Sequence, residues 1–311
     1  MKFSALTLAM LAVFTQSPVA MAIIVNERTI TDAVDDSGRI ITSESVRVDN
    51  GGTWSGTGID LSSKAENLVT VDSGGVMSMT DVKLTNQVDD SGVKVESKTL
   101  FVRGEGAIAQ LNNAEITLQE DQHLGADSLK NTSVVSVENG AQMTLDGGQI
   151  TGTSSNTING MTIGNGAEIE LKNTDISVDS KSVGGYKFDF GSGFKAYSTN
   201  GQDKSTIANL ENVDLSTEGS NTKGIYAEGS QAEIIADHTN ITTNNSFGNA
   251  IEANDGAKVT FKNGSIITND LYSDGVRAIG TNGNFSQIIL DNATIQVNGP
   301  SSSGVVAGEI M

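Results

Sequence analysis

A phrase typified by GAEIELKNTDI, residues 166–176, returns nine times along the 311-residue chain. Its copies begin at Gly51, Gly74, Gly106, Gly140, Gly166, Ser205, Gln231, Gly256 and Phe285, with starts 23 to 39 residues apart. The unit is therefore short and takes insertions of varied length. A repeat of this size constrains the fold more than any other feature. Each copy is one small supersecondary unit that cannot bury its own apolar face, so the copies must stack.

The columns of the alignment give the geometry. The fourth position reads Trp54, Met77, Ala109, Met143, Ile169, Ala208, Ile234, Val259 and Ile288. The eleventh is Leu or Ile in every copy, from Leu61 to Ile295. The sixth is mostly Leu, Met or Phe, as in Met79, Leu145, Leu171 and Phe261. Positions four and six share one face of a strand, and polar residues such as Thr144, Glu170 and Thr260 alternate with them. The eighth is Asn113, Asn173, Asn212, Asn263 or Asn292 in five copies and Gly58, Asp81, Gly147 or His238 in the others. Asn and Gly accept a left-handed backbone at low cost, so this column predicts a tight bend. A third short strand precedes each phrase, as in Val135-Ser-Val137 and Met161-Thr-Ile163, and several begin Gly-apolar-x-small: GFKAYS (193–198), GIYAEG (224–229) and GVRAIG (275–280). Three short strands per coil, paired in parallel ~4.8 Å apart, predict an all-β, right-handed parallel β-helix. Nine coils make a rod roughly 40 Å long.

Residues 1–22 read as a signal peptide: Lys2, an apolar run from Phe3 to Phe14, and a small-x-small site that places cleavage after Ala22. Residues 23–45 fit the repeat poorly and are expected to cap the first coil; residues 46–311 are the β-helix. SGVVAGEIM (303–311) opens a further coil and stops, which reads as a fragment or truncated product. The formal charge of −19 becomes −20 once Lys2 is removed. That leaves no basic face to displace phosphate counterions, so nucleic acid is not an expected partner. With no cysteine and only two prolines, stability must come from packing, and turns from Gly, Asn and Asp.

An exported, cysteine-free chain of Gly-, Asn-, Thr- and Ser-rich β-helical coils resembles the passenger domains of bacterial autotransporters of the pertactin-like and AIDA-like adhesin kind. The resemblance covers residues 23–311 as a pattern. It implies a surface-exposed or secreted, adhesin-type structural rod that is not an enzyme and needs no cofactor or metal. Its partners would be a host-cell or extracellular-matrix protein or a glycan. The outer-membrane β-barrel translocator of that family does not follow here, and without one the product would stay periplasmic. The alternative is a β-helical carbohydrate-active enzyme of polysaccharide-lyase or glycosidase kind.

Several residues are candidates for more than folding. In GGYKFDFGSGF (184–194), Tyr186, Phe188 and Phe190 alternate and form a candidate contact loop, while Phe194 aligns with core positions. At the outward tenth position stand Glu115, Gln149, Asp175, Asp214 and Asn240, a column that could hold Ca²⁺ or do acid–base work, with no Lys or Arg expected in it as a partner. His238 reads as a turn residue and His123 as part of a solvated acidic loop. GEGAIA (104–109) falls on a coil corner rather than opening a helix, so it is no nucleotide loop.

Overall fold

Alternating apolar and polar residues give each phrase one dry and one wet face, and the strands are arranged to keep every dry face inward. The computed structural model describes residues 26–72, 74–88, 96–120, 132–155, 157–180, 191–199, 204–219, 221–281 and 283–310. Among these, every regular element is a strand, and every pairing between strands is parallel. The chain is a parallel β-helix, right-handed as parallel crossovers are.

One sheet has eleven strands, one per coil. It runs from Asn26–Ile30 through Glu44–Val48, Asn67–Asp72, Lys98–Arg103, Thr132–Glu138, Ile158–Gly164, Ser192–Tyr197, Lys223–Glu228, Ile251–Asn254 and Val276–Thr281 to Val305–Ile310. The other has sixteen strands on two limbs. In four central coils one 13-residue strand, such as Glu168–Ser180, carries both limbs across a bend. In outer coils the bend splits them, as in Val76–Thr80 and Lys83–Val88. Ten spacings of ~4.8 Å in the first sheet make the rod about 48 Å long, rather than the 40 Å expected from nine coils.

The apolar columns are in register from coil to coil. Trp54 pairs with Met77, Met77 with Ala109, Ala109 with Met143 and Met143 with Ile169. These five and the eleventh-position residues Leu61 to Ile266 are all buried, and Phe194 is fully buried between Met161 and Ile225 of adjacent strands. Each fully buried Leu or Ile contributes about 1.5–3 kcal/mol, so the stacked interior is the main source of stability.

Within the expected cap, residues 26–42 supply three strands that pair in the same order as every later coil. That segment is itself the first coil. Its anchor is Asp36, which is buried and accepts hydrogen bonds from Arg28 at 2.6 Å, from the Trp54 indole at 3.0 Å and from Arg39. Burial alone would push its carboxyl up, yet these three donors together hold it below the usual aspartate range. The expected signal peptide and its cleavage residue Ala22 lie outside the described residues.

All nine eighth-position residues have positive φ, from 50° at Asn173, His238, Asn263 and Asn292 to 77° at Gly147. Their amides also link coils: Asn212 donates to Asn173 at 2.8 Å, Asn292 to Asn263 at 3.0 Å and Asn113 to Asp81 at 2.6 Å. Replacing Asn173 by Ala puts a Cβ without a local hydrogen-bonding side chain into the left-handed region. It should lower stability by about 1–2 kcal/mol, and Asn173→Gly by less. Urea unfolding followed by circular dichroism measures both.

Candidate functional site

Outward residues of the eleven-stranded sheet also fall into columns, because strand pairing sets residue against residue every ~4.8 Å. The Gly-apolar-x-small motif marks one of them. Its x position and equivalents run Phe101, Ser136, Thr162, Lys195, Tyr226, Glu252 and Arg277. Two residues on, the next column runs Arg103, Glu138, Gly164, Tyr197, Glu228 and Asn254.

This face differs from the other outer surfaces. On the sixteen-stranded sheet, outward residues such as Gln110, Glu168 and Glu170 are exposed. Here Ser136, Thr162, Lys223, Tyr226 and Glu252 face outward yet are buried. Three stretches outside the described residues, 89–95, 121–131 and 181–190, immediately or closely precede strands of this face in sequence.

A cavity of about 310 Å³ opens on the face. Small side chains make room for it: Ser133, Ser136 and Thr162 line it, together with Asn159. Glu96 and Lys98 stand at one end, Lys195, Tyr197 and Glu228 at the other, and Glu138 on the side. The lining is held by its own hydrogen bonds. Ser133 and Thr162 hydroxyls meet at 2.7 Å, Ser136 donates to Glu138 at 2.6 Å, and Ser192 donates to Asn159 at 2.7 Å. Gly164 decides where Tyr197 lies. A Cβ at that glycine would come within 2.2 Å of Tyr197 Cζ, so the phenol ring crosses the strand over a position that must carry no side chain.

Lys195 and Tyr197 are the perturbed groups. Lys195 Nζ sits 5.8 Å from the Tyr197 ring centre and 5.5 Å from that of Tyr226. Burial pulls its ammonium below the usual lysine range, and Glu228 offsets this only in part. Burial pushes the Tyr197 phenol up to about 12, and the negative charges of Glu138 and Glu96 add to the shift. Burial thus makes Lys195 readier to lose its proton and Tyr197 slower to give up its own. The carboxylates Glu138 and Glu228 do not form a close pair. Their strands are three coils apart, ~14 Å along the axis, beyond the roughly 5–9.5 Å of paired glycosidase carboxylates.

Next to the cavity, Lys223 donates to Glu252 at 2.9 Å, with side chains only 3% and 8% exposed, and the ammonium lies 4.1 Å from the Tyr226 ring centre. Burial alone would push Glu252 up and pulls Lys223 down. The Lys223 charge, with hydrogen bonds from Asn249 at 2.6 Å and Asn254 at 2.9 Å, nevertheless holds the Glu252 carboxyl below its usual range.

Tyr186, Phe188, Phe190 and His123 lie outside the described residues. Asn113, Asn173, Asn212, Asn263 and Asn292 stand on the bend of the sixteen-stranded sheet, away from the cavity-bearing sheet. His238 is on the same bend, its Nδ1 2.8 Å from Asp237. The tenth-position column is in register from Lys83 through Glu115, Gln149, Asp175 and Asp214 to Asn240. Contrary to expectation it does include a cation, Lys83, 3.9 Å from Glu115, and Asn240 donates to Asp214 at 2.8 Å. Among the described residues no three His, Asp or Glu side chains converge as a metal cage. The repeat by itself does not mark the cavity, although the x of GFKAYS and GIYAEG is Lys195 and Tyr226.

No protein-family model matches the chain, and no curated protein matches it. One solved structure of like fold is the periplasmic alginate epimerase AlgG. It has 8% identity over 92% of this chain and 85% of that one, with a TM-score of 0.40. That protein is an enzyme, unlike the non-enzymatic rod expected from the sequence.

Removing Lys223 strands the Glu252 carboxylate in a buried site. Lys223→Met should cost about 3 kcal/mol, and adding Glu252→Met should recover most of it. The wild-type contribution is present at neutral pH and is lost as pH falls through the depressed Glu252 value, because the carboxyl ionises more readily folded than unfolded. Thermal unfolding of the three proteins across acid pH tests this.

Proposed function

We propose that the chain is an exported, β-helical carbohydrate-active enzyme that takes a uronate-containing polysaccharide across the outer face of its eleven-stranded sheet. The observation that carries the reading is Lys195, its ammonium desolvated between two tyrosine rings on a polar cavity. The cavity offers hydroxyls, an amide and charged groups suited to a hydroxyl-rich ligand. Lys195, once it has lost its proton, removes the proton on the ring carbon beside the uronate carboxylate, and the Tyr197 phenol donates a proton to the opposite face or to the leaving oxygen. The first outcome is epimerisation and the second is β-elimination. Glu138 and Glu228 stand too far apart to serve together as the two carboxylates of a hydrolase.

The test is incubation of the protein in heavy water with homopolymers of mannuronate, guluronate and galacturonate. Deuterium on a ring carbon, or an unsaturated uronate by ultraviolet absorbance, is the expected result. Lys195→Met should lower the rate about 10²–10⁴-fold. Gly164→Ala should lower it too, by displacing Tyr197. The rate should rise with pH as Lys195 deprotonates below the ordinary lysine range, and Tyr197 should remain protonated until near 12. Absence of exchange and elimination with all three polymers, from protein of intact β-rich circular dichroism, would sink the proposal.

A further inference from the structure

Four successive coils turn into the eleven-stranded sheet through a residue of positive φ: Asn221 at 62°, Phe247 at 63°, Tyr272 at 56° and Ser301 at 58°. The corners are stacked. Asn221 N–H donates to the carbonyl of Ser246, Phe247 N–H to that of Leu271 and Tyr272 N–H to that of Pro300. Asn suits such a corner, and bulky L-residues rarely adopt it. At two adjacent corners the chain nevertheless carries aromatic rings. Phe247 and Tyr272 are 48% and 50% exposed, and their rings stack at 5.1 Å and 19°. The corner calls for the positive φ, but not for an aromatic residue in that conformation nor for the exposed apolar surface.

Beside the rings runs a row of exposed amides on the same coils. Asn269 donates to Asn244 and Asn298 to Asn269, each at 2.7 Å. Every amide in such a row keeps hydrogen-bonding capacity turned outward. A ring face next to amides matches the two sides of a pyranose. Its C–H face meets the negative ring face, and its hydroxyls meet the amides.

We infer that Phe247 and Tyr272 form a second sugar-binding platform, which takes residues of the same polysaccharide beyond the catalytic cavity. This rests on reading the cavity as a glycan site. The cavity reaches Glu228, on the strand Lys223–Glu228. The two rings stand at the entries to the next two strands, one and two coils further along the rod. Glu228 pairs with Asn254, seven residues past Phe247, so the rings also lie roughly 20 Å across the sheet from it. A polymer crossing the sheet obliquely from the cavity reaches the rings a few sugars on.

The discriminating variant is F247N/Y272N, because Asn at these corners copies Asn221 and relieves the strained backbone. Its circular dichroism should be unchanged and its thermal midpoint equal or higher. Retardation of the protein in gels cast with each of the three uronate homopolymers, or with a neutral glucan, should weaken by about tenfold, the size of one to two aromatic contacts. Retardation equal to wild type, retardation of neither protein, or loss of the fold in the variant would overturn the platform. The two readings fail separately. Ring-dependent retardation without deuterium exchange keeps the platform and removes the cavity chemistry. Exchange with ring-independent retardation does the reverse.

Discussion

Every coil of the rod must hand its backbone hydrogen bonds to the next coil in the same register, and the rest of the structure depends on that requirement. A strand that slipped by one residue would turn its whole apolar set outward. The bend is therefore held at a residue of fixed left-handed conformation, whether Asn, Asp, Gly or His238 fills it. The distance between corners stays constant, and extra chain can enter only at the corners. Variable spacing between copies and an invariant core are two consequences of the same pairing.

Register also governs the outer chemistry. Side chains from neighbouring coils stand ~4.8 Å apart, so identical charges would repel and complementary ones settle into ladders. On the cavity-bearing sheet, Asp72 accepts from Arg47 at 2.7 Å and Arg103 at 2.9 Å, and further along Lys223 meets Glu252. Between these ion pairs the columns fall to Ser133, Ser136, Thr162 and Gly164. The cavity exists because bulky side chains give way to small ones on consecutive strands. The same drop to glycine lets Tyr197 lie flat and places its phenol near Glu138. Burial then does the electrostatic work, making Lys195 a readier base and Tyr197 a more reluctant acid.

The expected and observed maps of the molecule differ most where stacking brings distant residues together. The fourth, eighth and eleventh columns could be read directly, because core and bend positions recur within each copy and their meaning is local. In GFKAYS and GIYAEG, alternation about the buried Phe194 and Ile225 places Lys195 and Tyr226 outward. What the two motifs did not show is that the outward residues of this one sheet would be buried, since that depends on neighbouring coils and not on the motif. Glu96 and Glu138 act on Tyr197 from 101 and 59 positions away in the chain. Lys83 stood unrecognised in the tenth column for a simpler reason: its copy reads SMTDVKL, without the usual acidic tenth residue.

The amino-acid sequence by itself determined the architecture: parallel coils, an apolar interior, left-handed bends and cysteine-free stability. It could do so because those features follow from alternation and from the backbone preferences of Asn and Gly. Tertiary structure alone decided which outer face carries a cavity lined by desolvated ionisable groups. Ionisation depends on desolvation and on charges a few ångströms away, and only the winding of the chain sets those distances.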